Sequence, residues 1–177
     1  MRTSGSPGSK RALAIILSGL LLIAAGVVLA GRGKAATPGF SFPRRVGGLA
    51  LTGRVQTGQE AAAQIGGLHG LSIPVKDAYV AVYRGSGGEA RLWIAGAADD
   101  ASAADLLTAM DQKMPGNGTF TGRTESPVDG LTVYRVDGAG MVNYYYRLGR
   151  RVYWLGYAGV GDSLEVLRGF IGAFSPF

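Results

Sequence analysis

Leu131 to Tyr157 reads "LTVYRVDGAGMVNYYYRLGRRVYWLGY", and the alternation inside this stretch is the strongest structural signal in the chain. Three runs rich in β-branched and aromatic residues are separated by Asp137-Gly138-Ala139-Gly140 and by Gly149-Arg150, both with suitable turn chemistry. Runs joined this way form a meander of antiparallel strands. With those turns, Leu131, Val133, Val142, Tyr144, Tyr146, Leu148, Tyr153 and Leu155 share one face, which is the expected core face. Tyr134, Asn143, Tyr145, Arg147, Val152 and Trp154 share the other. The strand-rich block that ends in this meander starts near Phe120.

Upstream of it, "AYVAVYR" and "EARLWIA" flank Gly85-Ser86-Gly87-Gly88 and read as a hairpin from Asp77 to Ala95. Pairing across that loop sets Arg84 opposite Glu89 and puts Tyr79, Ala81 and Tyr83 beside Ile94, Leu92 and Ala90 on one face. Leu49 to Thr52, with Val55, suggests a first short strand. Thr57 stands three residues ahead of Glu60, the capping-box spacing, and Ala61, Ala62, Ile65 and Leu68 follow at helical intervals up to Gly70.

A second helix opens at Asp99 or Asp100 and carries Leu106, Leu107, Met110 and Met114 as its apolar stripe, ending at Pro115 to Gly118. The last helix follows Asp162, with Leu164, Leu167, Phe170, Ile171 and Phe174 on one side. Helices alternating with antiparallel blocks predict an α+β domain, a two-layer arrangement with about three helices on one face of a mainly antiparallel sheet.

The chain has 177 residues, 47% of them hydrophobic, enough for one modest core and an appendage. Ala12 to Ala30, "ALAIILSGLLLIAAGVVLA", contains no charge and follows Arg2, Lys10 and Arg11. That length crosses a bilayer core as a helix. The expected organisation is a basic tail over 1–11, a transmembrane signal-anchor helix over 12–30, a flexible Gly/Ala/Pro tether over 31–39, and an extracytoplasmic domain over 40–177. The alternative is a cleaved secretory signal and a secreted domain. No cysteine is present, which excludes a lipidated anchor after the run, a disulfide framework and thiolate metal sites.

The net charge of +6 invites a nucleic-acid reading that the charge placement removes. Five of the 18 basic residues lie before Thr37 and all 12 acidic residues lie after it, which leaves 13 basic against 12 acidic groups in the domain. No general attraction to a polyanion results, so no nucleic-acid partner is expected. The basicity belongs mainly to the membrane end, where it can meet anionic headgroups.

Gly161-Asp162-Ser163-Leu164 spells the motif that names a family of serine esterases. In that family the serine follows a strand early in an α/β domain and a late Asp-x-x-His supplies the base. Here Ser163 is near the C-terminus and the single histidine, His69, lies far upstream with no such motif around it. Asp162 as an N-cap, with Glu165 three residues on, accounts for the same letters.

His69 sits where a helix ends, a position its charge favours. Ser72 and Lys76 are four apart, but Pro74 stands between them and breaks a shared helical face. Asp99 and Asp100 mark a helix start, and the glycine runs lie between strands, where a phosphate cradle does not form. No catalytic residue, metal ligand or cofactor site is therefore assigned.

One constellation stands out: Tyr134, Asn143, Tyr145, Arg147 and Trp154, aromatic and polar groups on the sheet face opposite the expected core. Rigid aromatics beside arginine are what recognition surfaces use, and helices packed over this face would instead bury them. The functional expectation is a non-enzymatic recognition or accessory module for an envelope or membrane partner. A small-ligand or lipid-binding pocket between sheet and helices is the second reading, and a hydrolase with an unfamiliar site the third.

Overall fold

The computed structural model describes residues 40–69, 75–116 and 118–175. The basic tail, the apolar run 12–30, the tether and Ser72 lie outside the described residues. Among the described residues no helix is long and apolar enough to cross a membrane.

The elements in chain order are β1 (Arg45–Val46), β2 (Leu49–Thr57), α1 (Gly58–His69), β3 (Asp77–Gly85), β4 (Gly88–Gly96), α2 (Asp100–Lys113), a 3-10 turn (Met114–Gly116), β5 (Phe120–Val128), β6 (Leu131–Gly138), β7 (Met141–Leu148), β8 (Arg151–Gly159) and α3 (Ser163–Phe174). All eight strands join one sheet in the order β1-β2-β3-β4-β8-β7-β6-β5. Every neighbouring pair is antiparallel. An α+β domain with a mainly antiparallel sheet and three helices is what the alternation and caps predict.

Local chemistry explains the hairpins. Arg84 pairs with Glu89, and Tyr79, Ala81 and Tyr83 pair with Ile94, Leu92 and Ala90, as the charge and apolar patterns require. Gly85 and Gly88 themselves pair, so the loop tightens to Ser86-Gly87. The meander closes on the expected turns, with Gly138 opposite Met141 and Leu148 opposite Arg151. Between β5 and β6 the two-residue loop is Asp129-Gly130, both at positive φ (49° and 80°), the left-handed geometry that a tight hairpin demands.

The caps of α2 and α3 fall where the sequence puts them. Asp99 accepts from the Ser102 amide at 2.8 Å and Asp162 from the Leu164 amide at 2.8 Å. The Glu60 carboxylate, by contrast, is taken by Arg54 and Gln56, at 2.9 and 3.1 Å.

Two apolar clusters form, one on each face of the sheet. The first gathers Tyr79, Tyr83, Leu92, Ile94, Tyr144, Tyr146, Tyr153 and Leu155 under Leu167, Phe170 and Ile171 of α3. The second gathers Val80, Trp93, Val136, Tyr145, Val152 and Trp154 under Ala61 and Ile65 of α1 and Ala103 and Met110 of α2. The expectation of all three helices on one face is corrected: α1 and α2 cover one face and α3 the other. The physical reason is visible in β8, whose side chains from Val152 to Tyr157 are buried on both sides, so both of its faces require cover.

Tyr146 is fully buried in the first cluster, stacked on Tyr153 at 5.2 Å with rings 4° from parallel, and its hydroxyl has no hydrogen-bond partner among the described residues. Burial pushes its phenol pKa above the usual value. An unpaired buried hydroxyl costs about 1–3 kcal/mol, so Tyr146→Phe is expected to raise the unfolding free energy by roughly 1 kcal/mol, as read from the urea midpoint. A loss of stability would show that the hydroxyl has a partner.

Candidate functional site

The five residues singled out in the sequence do not form an exposed surface. Register carries one row across the sheet: Trp93 on β4 lies opposite Trp154 on β8, Trp154 opposite Tyr145 on β7, Tyr145 opposite Tyr134 on β6, and Tyr134 opposite Glu125 on β5. Tyr145 stacks on Trp154 at 5.1 Å and on Tyr134 at 5.0 Å, with interplanar angles of 10° and 17°. Phe120 meets Trp154 edge-on at 5.1 Å. Arg123 closes the row, its guanidinium 4.8 Å from the Tyr134 ring centroid.

Tyr145, Trp154 and Asn143 are 0%, 2% and 3% exposed, because α1 and α2 pack over this face. Tyr134 is half-buried. The reading of this face as an open recognition surface is therefore corrected to an internal aromatic ladder.

Asn143 serves this ladder as a polar support. Its Oδ1 accepts from the Trp154 indole N–H at 3.0 Å, and its Nδ2 donates to the carbonyls of Gly138 and Met141, both at 3.1 Å. The space for it comes from Gly156 directly opposite: a Cβ there would stand 3.0 Å from Asn143 Oδ1 and 2.8 Å from Met141 Sδ. Arg147 takes no part in the stack. It donates to the Gly149 carbonyl at 3.1 Å and lies 4.0 Å from Asp100 at the start of α2.

Two residues that sequence reasoning missed complete the arrangement. Asp111 on α2 accepts two hydrogen bonds from Arg123, at 2.6 and 2.7 Å, and one from the Tyr145 hydroxyl at 2.7 Å. This bidentate pair with a shared phenol ties α2 to β5 and β7. Nothing in the one-dimensional pattern links positions 111, 123 and 145, since the link exists only once α2 lies across the meander.

The hydrogen bonds from Arg123 hold the Asp111 carboxyl below the usual carboxylate range, against the opposing effect of partial burial and with help from Tyr145. Burial raises the Tyr145 phenol, and its bond to Asp111 raises it further. Because the folded pKa of Asp111 is depressed, its contribution to stability is present above the unfolded value near pH 4 and is lost as pH falls through the lower folded value. Asp111→Asn is expected to cost about 2 kcal/mol at neutral pH, and the gap between variant and parent should close below roughly pH 4. Urea titrations at several pH values read this directly. A gap constant down to pH 2 would assign the loss to packing instead.

The other candidates have structural contacts of their own. Ser163 Oγ lies 2.8 Å from the Tyr144 hydroxyl, in the first turn of α3, while Asp162 caps that helix. Asp99 caps α2, and its bonds from Ser102 lower its pKa. Lys76 is exposed, with its backbone amide bonded to the Gly96 carbonyl at 2.8 Å. The His69 side chain lies outside the described residues. Among the described residues no three His, Asp or Glu side chains gather as a metal site.

No family description, no curated protein and no solved structure matches this chain.

Proposed function

We propose that the chain is a single-span, membrane-anchored protein whose folded domain lies outside the cytoplasm and acts as a non-enzymatic recognition or accessory module for an envelope or membrane partner. The observation that carries this reading is the engagement of the chemically capable groups in holding the fold. Ser163 is bonded to Tyr144, Asp162 and Asp99 cap helices, and Asp111 clamps Arg123 and Tyr145. The apolar run from Ala12 to Ala30 supports the anchor, and the near balance of charge beyond it supports a partner other than nucleic acid. With the aromatic row buried, partner contact on this reading uses other, exposed parts of the domain.

The absence of cysteine makes the arrangement directly testable, because a single introduced thiol reports its own compartment. Ser86→Cys, exposed in the turn between β3 and β4, is expected to react with a membrane-impermeant maleimide on intact cells. Ser4→Cys in the basic tail should react only after lysis. The reverse pattern would overturn the orientation, and recovery of the protein from the medium would overturn the anchor. For the non-enzymatic part, the intact chain and its Ser163→Ala variant should be equally inactive toward a panel of ester substrates. Hydrolysis abolished by that substitution would restore the esterase reading.

A further inference from the structure

We infer that Arg44 and Arg45 form a fixed contact site for anionic lipid headgroups, an inference that rests on the membrane-anchored reading above. Every other arginine among the described residues has a carboxylate within 4.0 Å, with Glu89 and Asp77 each shared by two. Arg54 pairs with Glu60, Arg84 and Arg91 with Glu89, Arg123 with Asp111, Arg135 with Asp137, Arg147 with Asp100, Arg150 and Arg151 with Asp77, and Arg168 with Asp129. Arg44 and Arg45 are both exposed, and neither has an acidic partner among the described residues.

The dipeptide is held in place by its backbone. The Leu51 amide donates to the Arg44 carbonyl at 2.9 Å, and the Tyr83 hydroxyl donates to the Pro43 carbonyl at 3.1 Å. Arg45 pairs with Ala50 in the sheet, and the next residue, Val46, is buried. The backbone that carries the two cations is thus positioned by the core, which reduces the ordering cost of a contact.

Sequence position identifies the counter-surface. No acidic residue precedes Glu60, whereas Arg32, Lys34, Arg44 and Arg45 all follow the apolar run closely. The tether 31–39 reaches about 30 Å even when fully extended, so a bilayer that holds 12–30 is the anionic surface most accessible to this pair. A basic residue near an anionic leaflet strengthens association about fivefold, and the effect fades within a Debye length.

The test uses the full chain reconstituted into phosphatidylcholine vesicles with and without phosphatidylglycerol. Flotation after an alkaline wash comes first, followed by phenylglyoxal modification read arginine by arginine by mass spectrometry. In floating vesicles, Arg44 and Arg45 are expected to react at least about fivefold more slowly when phosphatidylglycerol is present, with the protection lost at high salt and Arg54 unchanged as the exposed control. Equal rates in both floating preparations would overturn the headgroup site and leave the anchor intact. A chain that does not float in either preparation would overturn the anchored reading itself, and the site with it.

Discussion

Trp154→Ala is expected to lower the unfolding free energy by about 3–5 kcal/mol, a large part of the roughly 5–15 kcal/mol that holds a domain of this size. The indole is 2% exposed, stacked on Tyr145 at 5.1 Å and met edge-on by Phe120 at the same distance. Its removal opens a void between β8 and the helices and leaves Asn143 Oδ1 without the indole N–H that it accepts at 3.0 Å. Trp154→Phe should recover much of the loss by keeping a ring in the stack, but not the part that belongs to the hydrogen bond. Urea unfolding followed by circular dichroism measures both variants. A change within about 0.5 kcal/mol for the alanine variant, with partner capture lost, would return this residue to a binding surface. Because Tyr145 is equally buried, its alanine variant carries the same consequence: partner loss there reports unfolding first.

Phe170→Ala should be comparably damaging, also about 3–5 kcal/mol, through the opposite face. Phe170 is 0% exposed and meets Tyr83 edge-to-face at 5.0 Å. The helix that carries it has twelve residues, too few to persist without packing, and among the described residues it is the helix that covers the face lined by Tyr79, Tyr83, Tyr146 and Tyr153. Release of α3 is therefore expected to precede global unfolding in the variant. Hydrogen exchange should show the amides of Leu167 to Phe174 losing protection first, with β4 and β8 still protected. Simultaneous loss in helix and central strands would mean that α3 and the sheet unfold as one unit.

The hairpin between β3 and β4 was legible to the residue pair, because Arg84 and Glu89 identify each other across a glycine loop and the apolar residues alternate in step. The caps at Asp99 and Asp162 were legible for a similar reason: a carboxylate one residue ahead of an apolar-periodic run meets amides that are close in sequence. The candidate site was legible only as composition. Tyr134, Asn143, Tyr145 and Trp154 do come together, yet their role changed from surface to interior, and Asp111 and Arg123, which lock them to α2, carried no signal.

Interactions between near neighbours were written into the chain: strand period, turn positions, helix starts and the residues that share a face. Period two states which side chains point together and is silent on what covers them. Long-range packing settled that β8 returns to pair with β4, placing Trp93 beside Trp154 at the centre of the sheet, and that β5 becomes an edge. It also decided that α3 takes the face opposite α1 and α2. Those outcomes depend on apolar area that must be buried on both sides of the central strands, a requirement that belongs to the assembled sheet and to no single segment of the chain.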